Sequence, residues 1–150
     1  MTTVQTREIQ DAVALIVCGS RTFKDEATFL RTIQMCLAYK HITVFHGACL
    51  TGADEMAARF FNDSPRARLA EPTLVVREYP ADFGRLGRRA GPLRNQQMVD
   101  HASSMRSQNC RVVCLAYWDG NSRGTLDCLT RAVKAGIETG VIPPDPRSTR

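Results

Sequence analysis

The sequence predicts an α/β domain with a mostly parallel sheet and helices on both faces. Four short, nearly unbroken apolar segments, at residues 12–18, 42–45, 74–79 and 111–118, have the pattern of strands buried on both faces. Segments with helical spacing of apolar residues separate them, and this alternation is typical of parallel sheets with right-handed crossovers. The 150 residues suit one domain with a substantial core.

The domain is therefore predicted to span residues 12–140. Residues 1–11 are predicted to form a flexible arm, and residues 141–150 a loose tail, because prolines there oppose regular structure. Polar loops are expected at residues 62–71 and 83–89. The helices are expected at residues 25–39, 53–61, 93–102 and 125–136.

Composition and charge restrict the class of protein. Apolar residues make up 43% of the chain and charged residues 23%, and no apolar run approaches the ~20 residues of a membrane span. The polar N-terminus carries both charge signs and is unlike a secretory signal, so we expect a cytoplasmic protein without a membrane partner. The net charge of +5 suits a phosphate-bearing partner, either a small anionic ligand or a nucleic acid.

The six cysteines are expected to be reduced thiols that act as small core residues. Five of them fall inside predicted strands or helices, and the chain has no CxxC pair. Because zinc sites usually contain closely spaced ligand pairs, the sequence predicts no metal and no cofactor.

Unusual loops follow each predicted strand, and this coincidence is the basis of the functional prediction. In parallel α/β sheets the ligand crevice lies beyond the carboxyl ends of the strands. Backbone N–H groups and helix dipoles at loop-to-helix junctions attract anions, so the sequence predicts a site for a phosphate-bearing ligand. The loops contain Gly19, Ser20 and Arg21; His46, Gly47, Gly52, Ala53 and Asp54; Pro80, Ala81 and Asp82; and Gly120, Ser122, Gly124 and Thr125.

The second loop, HGACLTGAD, leaves alternatives open for its polar residues. Gly52 and Ala53 would allow close approach of a phosphate. Asp54 is either a carboxylate at a helix N-terminus, which is the more frequent role, or an acceptor for a ribose hydroxyl. His46 either contacts the ligand or packs at the strand end, and packing is favoured because the sequence shows no partner acid.

The segment PADFGRLGRRAGPLRNQQM predicts a helix that begins after Gly91-Pro92. Arg94 at its start could bind a phosphate through two N–H groups or be a solvated charge, and Asn95 could bind a base or sugar. The last loop could cradle a phosphate as the first loop does. Trp118, the single tryptophan, either stacks on a base or packs in the core.

Together these motifs resemble the SLOG superfamily. The resemblance consists of GSR after the first strand, HGxxxxGAD after the second, PADxxxxGxxAGxxRNxxM and the late GxSxGT loop, and it covers residues 12–135. It is strongest to the small YspA-like, cpYpsA-related branch, common in bacteria and their phages. It implies a single Rossmann-like domain with a nucleotide-derived ligand at the strand ends. By this resemblance the site is lined by Gly19, Ser20, Arg21, Gly47, Gly52, Asp54, Arg94, Asn95, Ser122, Gly124 and Thr125.

The superfamily also contains the LOG phosphoribohydrolases, whose PGGxGTxxE motif carries a glutamate that acts with an upstream arginine. Here the loop reads DGNSRGTLDC, which lacks the Pro-Gly-Gly start and places Cys128 at the glutamate position. Arg94 matches the upstream arginine. Asp127 lies about 100° away around a helix, so it is not expected to replace the glutamate. The remaining candidates for the acid are Asp54, Asp82 and Asp119.

Three functions stay open from the sequence. The preferred one is binding of a nucleotide or ADP-ribose-type ligand by a sensor or sequestering protein. The second is hydrolysis or transfer at the N-glycosidic bond of a nucleoside monophosphate, with Arg94, Asp54 and Asp82 as tentative catalytic residues. The third is DNA binding like that of the DprA proteins of the same superfamily, which rests on charge alone. Rossmann-like proteins of this size often pair through helices, so a homo-oligomer is expected.

Overall fold

The computed structural model describes residues 11–63 and 73–149. It contains a five-stranded sheet in the order β3-β2-β1-β4-β5, in which every neighbouring pair is parallel. This is the strand order of a Rossmann-like domain, so the predicted fold class is confirmed. The strands are β1 (Ala12–Gly19), β2 (His41–His46), β3 (Thr73–Glu78), β4 (Cys110–Tyr117) and β5 (Glu138–Ile142).

Helices cover both faces of the sheet, as predicted. In chain order the α-helices of the described residues are α1 (Glu26–Ile33), α2 (Ala53–Asp63), α3 (Phe83–Leu86), α4 (Ala90–Ser104) and α5 (Arg123–Lys134). The side chains of α1 and α2 pack in one core, and those of α4 and α5 pack in the other. Within the described residues, every helix is too short or too polar to cross a membrane.

The central strand β1 belongs to both cores. Val13, Leu15 and Val17 point toward α1 and α2, whereas Ala14 and Ile16 point toward α4 and α5. All five side chains are at most 2% exposed. Because both faces of this strand are covered, its sequence is continuously apolar, which is why the pattern predicted the strand correctly.

The predicted C-terminal boundary of the domain, at residue 140, is wrong. The chain does not become loose at residue 141, because β5 continues to Ile142 and pairs with β4. Beyond it, the backbone N–H of Asp145 donates to the Asp25 carboxylate at 2.7 Å, and Pro146–Thr149 is a 3-10 helix. The segment ETGVI is short and poorly apolar, so the strand depends on its pairing with β4 more than on a local pattern.

Three other predicted boundaries also differ. Gly91 and Pro92 lie inside the first turn of α4, where a proline's missing N–H has no helical partner to lose. The predicted loop at residues 83–89 forms α3 followed by a 3-10 turn. The first helix is also shorter than predicted, since residues 34–38 form a 3-10 turn. The predicted arm falls, except for Asp11, outside the described residues.

Candidate functional site

A cavity of about 770 Å³ lies at the carboxyl ends of β1 and β4, and we call it the strand-end cavity. It lies where the strand order reverses, with β2 on one side of β1 and β4 on the other. This is the place where open α/β sheets bind their ligands. The predicted site residues that line it are Gly19, Ser20, Arg21, Gly47, Asp54, Arg94, Asn95, Ser122, Gly124 and Thr125.

Five predicted site residues do not line the cavity. Gly52 has a φ of +76°, and a side chain there would overlap the carbonyl oxygen of Ser20, so this glycine lets two loops pack together. Ala53 is fully buried beneath them. Asp82 is exposed and caps α3, because its carboxylate accepts the Arg85 N–H at 3.0 Å. The five residues are His46, Gly52, Ala53, Asp82 and Gly120.

His46 packs at the strand end, which is the alternative that the sequence favoured. Its side chain is 1% exposed, and its Nδ1 accepts the Ala48 N–H at 3.1 Å. The other ring nitrogen, Nε2, lies 3.6 Å from the Glu78 carboxylate on the neighbouring strand β3. Burial lowers the pKa of His46. The partner acid was not evident in the sequence because it lies across the sheet.

Asp119 joins the two loops that form the floor of the strand-end cavity. Its carboxylate accepts the N–H groups of Asn121 and Ser122 at 2.8 and 3.2 Å, and the Thr22 hydroxyl at 3.0 Å. Its own N–H donates to Ser20 Oγ at 3.2 Å. The Asn121 N–H and the other donors lower the pKa of Asp119 to about 2. It therefore stays ionised at neutral pH and is unsuited to act as the predicted acid.

The start of α5 presents free donors to the cavity. Ser122 caps this helix, and its Oγ accepts the Thr125 N–H at 3.3 Å and the Thr125 hydroxyl at 2.9 Å. The N–H groups of Arg123 and Gly124 have no acceptor among residues 11–63 and 73–149. Free N–H groups in the first turn of a helix bind anions well, because the helix dipole adds to their own charge.

Arg94 is held in place by three hydrogen bonds, although it lies in the second turn of α4 instead of at its start. Its Nη1 donates to the carbonyl oxygens of Gly47 at 2.6 Å and Tyr79 at 3.2 Å, and its Nε donates to Asn95 Oδ1 at 2.9 Å. A side chain at Gly47 would overlap this guanidinium. The Nη2 donors have no acceptor in the described part of the chain, so they are available to a ligand.

Asn95 has a positioning role that differs from the predicted contact with a base or sugar. Its amide nitrogen donates to the Gly124 carbonyl at 3.3 Å and to the Asp127 carboxylate at 3.0 Å. Both amide hydrogens are thus used within the protein. Asn95 is 3% exposed. It therefore ties α4 to α5 and orients Arg94.

Asp54 is the most buried carboxyl group that lines the cavity, with 6% of the residue exposed. Its Oδ2 accepts the Cys49 N–H at 3.2 Å. Burial raises the pKa of Asp54, and this outweighs the opposite effects of the Cys49 hydrogen bonds and of the His46 and Arg94 charges. A carboxyl group with a raised pKa in a cleft is a candidate proton donor.

Sequence reasoning missed several residues of the cavity wall, and Asp127 and Phe83 are two of them. Asp127, which the helix geometry predicts cannot replace the missing glutamate, still lines the cavity and accepts hydrogen bonds from Asn95 and Arg131. Phe83 is the one aromatic residue among the described residues that line the cavity, and it is 50% exposed. Its place directly after the PAD motif is a signal that could have identified it. Trp118 does not line the cavity, and its indole N–H donates to the Ser122 carbonyl at 3.1 Å.

A second depression, of about 370 Å³, adjoins the strand-end cavity. Pro80 and Ala81 form part of its wall, so the loop after β3 contributes there. Several residues border both the strand-end cavity and this depression, which we call the two compartments, and they lie at the junction between them. The shared residues are Arg21, Gly47, Cys49, Phe83 and Arg94.

The strand order and the cavity at its reversal define a Rossmann-like α/β domain with a candidate site at its strand ends. The chain belongs to the family of the Gene 61 protein of Mycobacterium phage D29. The two proteins are 31% identical over 133 residues, which cover 82% of this chain and 90% of the phage protein. No model of a known protein family matches the chain.

Proposed function

We propose that this protein binds a nucleotide-derived ligand of the ADP-ribose type in the strand-end cavity and releases it unchanged, as a sensor or sequestering protein. The observation that carries the proposal is the hydrogen-bonding state of Arg94. Its guanidinium is fixed by three hydrogen bonds to the protein and keeps its Nη2 donors free between two compartments. An arginine that is already ordered loses little entropy when it binds an anion.

The phosphate groups of the ligand fit the donors around Arg94. The free N–H groups of Arg123 and Gly124 lie in the wall of the same cavity. Exposed guanidinium groups of Arg21 and Arg88 stand at its rim and add positive charge. Charge-assisted hydrogen bonds to phosphate are about twice as strong as neutral ones, so these groups favour a phosphate-bearing ligand over a neutral one.

The two compartments favour a ligand of two parts. Phe83 stands at their junction with half of its surface exposed, and it can stack on a base. The Asp54 carboxyl can accept a ribose hydroxyl, because only one of its oxygens bonds the Cys49 N–H. The resemblance to the SLOG superfamily implies the same ligand class and agrees with this placement.

A second candidate function, cleavage of an N-glycosidic bond, is favoured by one observation. Burial raises the pKa of Asp54, so this carboxyl group can hold a proton that a departing base would need. The bond to be cleaved would have to lie beside Asp54, with its phosphate near Arg94. Asp82 has no part in this candidate, because it caps α3 outside the cavity.

One incubation tests both candidates. The purified protein is mixed with nucleoside monophosphates, NAD, ADP-ribose and cyclic dinucleotides, and the bound and free fractions are analysed by liquid chromatography with mass detection. Binding alone predicts that one compound is retained intact. Release of a free base with its ribose phosphate, lost in Asp54→Asn, would establish the enzyme instead. Retention of no compound by the unmodified protein would contradict both candidates.

A further inference from the structure

Three cysteines that are distant in the sequence meet beneath the strand-end cavity. Cys18 lies near the end of β1, Cys114 in β4 and Cys128 in α5. Their sulfur atoms all lie within 4.8 Å of one another, and the sulfurs of Cys18 and Cys114 are 3.9 Å apart. In the part of the chain that the structure describes, this is the one group of cysteine, histidine or acidic side chains close enough to hold a metal ion. We call it the cysteine cluster.

We propose that the cysteine cluster binds a thiophilic cation of the Zn²⁺ or Cu⁺ class beneath the strand-end cavity. Zinc–sulfur bonds of about 2.3 Å place two sulfurs on one tetrahedral ion about 3.8 Å apart, close to the distance between Cys18 and Cys114. The third sulfur, of Cys128, needs a shift of at most about 1 Å to reach the same spacing.

The donor set selects the kind of metal. The three sulfur atoms are joined by no histidine nitrogen or carboxylate oxygen of the described residues, and such a donor set favours soft cations over Mg²⁺ or Ca²⁺. Three protein ligands complete the coordination of Cu⁺ and leave one position of Zn²⁺ open to water or to a ligand atom. The positive charge of Arg94, which acts on Cys128, offsets part of the negative charge that the thiolates bring.

The cluster also has a route to solvent, which a purely packed group of thiols would lack. Cys18 and Cys128 line the strand-end cavity, whereas Cys114 is fully buried behind them. Other buried cysteines are isolated. Cys110, in the same core, donates to the carbonyl oxygen of Arg111, and Cys36 belongs to the opposite core. The absence of CxxC spacing, which predicted no metal, does not bear on ligands that meet only in the fold.

Binding involves no change of oxidation state. Three S–H bonds break, three sulfur–metal bonds form, and three protons leave to solvent, so metal affinity rises with pH. The metal proposal does not depend on the nucleotide proposal, because its readout is the metal alone.

The test uses the full chain, reduced and free of oxygen, titrated separately with Zn²⁺ and Cu⁺ against a competing chelator. We expect one ion per chain and at least a tenfold weaker affinity in Cys128→Ala. Even mutation of a residue that only hydrogen-bonds a metal ligand lowers metal affinity by about tenfold or more. Cys110→Ala is the matched control, because it removes a buried thiol of the same core, and it should bind like the unmodified protein.

X-ray absorption of the unmodified, metal-loaded protein keeps the test independent of whether Cys128→Ala folds. We expect three sulfur neighbours, at about 2.3 Å for zinc. A coordination shell without three sulfurs would overturn the proposal, as would the absence of tight binding by either ion or an equal loss of affinity in Cys110→Ala.

Discussion

The strand-end cavity and a second concave region of the molecule differ in size and in the state of their charged groups. A larger groove, of about 1000 Å³, runs along the face of β1, β4 and β5, and we call it the sheet-face groove. Aliphatic side chains such as Leu15 and Leu115 form much of its wall. Its arginine is paired within the protein: Arg111 donates to the Glu138 carboxylate at 2.9 Å and to the Tyr39 hydroxyl at 2.7 Å. Arg94 in the smaller cavity keeps donors free.

The difference therefore lies in the hydrogen-bonding state of the arginines. Both Arg94 and Arg111 are ordered by the protein. Arg111 forms an ion pair with Glu138, whereas the hydrogen-bond partners of Arg94 are uncharged carbonyl and amide oxygens. Anion binding requires an unpaired positive group with free donors, and this is the property that the following variants examine.

The largest expected effect is on the folding of the loops around the cavity. Gly52→Ala should lower the free energy of unfolding by about 2–4 kcal/mol, because alanine is strained at a φ of +76° and would overlap the Ser20 carbonyl. Gly140→Ala in the sheet-face groove meets only the movable Leu115 side chain, at 3.2 Å, and should cost less than about 1 kcal/mol. Urea unfolding of both variants checks this. Equal costs would show that the tight approach of the two loops at Gly52 does not matter.

The next effect is on ligand affinity. Arg94→Ala should weaken binding of an ADP-ribose-type ligand by about 10–100-fold, because hydrogen bonds to charged groups contribute about 1.5–3 kcal/mol. Arg111→Ala is the matched control in the groove and should leave the affinity unchanged. Titration calorimetry measures both, and thermal melts show that the variants are folded. A loss of affinity only in Arg111→Ala would move the site to the groove.

A smaller effect distinguishes two aromatic residues. Phe83→Ala should weaken binding of a base-containing ligand by about fivefold and leave the affinity for ribose 5-phosphate unchanged, because stacking contributes about 1 kcal/mol. Trp118→Phe, outside the cavity, should bind the ligand normally. A loss of affinity only in Trp118→Phe would instead place the base beside β4. That result would favour the alternative in which Trp118 stacks on the base.

The smallest effect is on the pH dependence of stability. The folded protein holds the Asp54 proton more tightly than the unfolded chain, whose carboxyl has the ordinary pKa of 3.8. The stabilisation is therefore present below that value and is lost as pH rises through the raised pKa of the folded state. Asp54→Asn should remove this decline in stability. The variant should therefore become more stable relative to the unmodified protein as pH rises. Parallel unfolding curves across this pH range would contradict the raised pKa.

The sequence identified the parts of the molecule whose signals are local. β1 was predictable because a strand covered on both faces is apolar throughout, whereas β5 was missed because its residues acquire their role only by pairing with β4. The glycine and hydroxyl loops marked the edge of the sheet where the strand-end cavity lies, since parallel strands bring their carboxyl ends together. The homo-oligomer and the DNA-binding alternative stay predictions.

The roles within the site were less predictable, because they depend on contacts between distant residues. Asn95 looked like a ligand contact, yet its amide is used by Gly124 and Asp127 on another helix. His46 lacked an acid until β3 placed Glu78 beside it. No spacing rule could have gathered the cysteine cluster from three separate elements.

The most direct test of the central claim is a nuclear magnetic resonance titration of the isotope-labelled protein with ADP-ribose. It reports on the strand-end cavity and the sheet-face groove in the same spectrum. We expect the backbone amide signals of residues 19–22 and 122–125 to shift in a saturable manner, and those of residues 113–115 and 138–140 to stay in place. Shifts confined to the second set, or no saturable shift at all, would contradict the claim that the strand-end cavity binds a nucleotide-derived ligand.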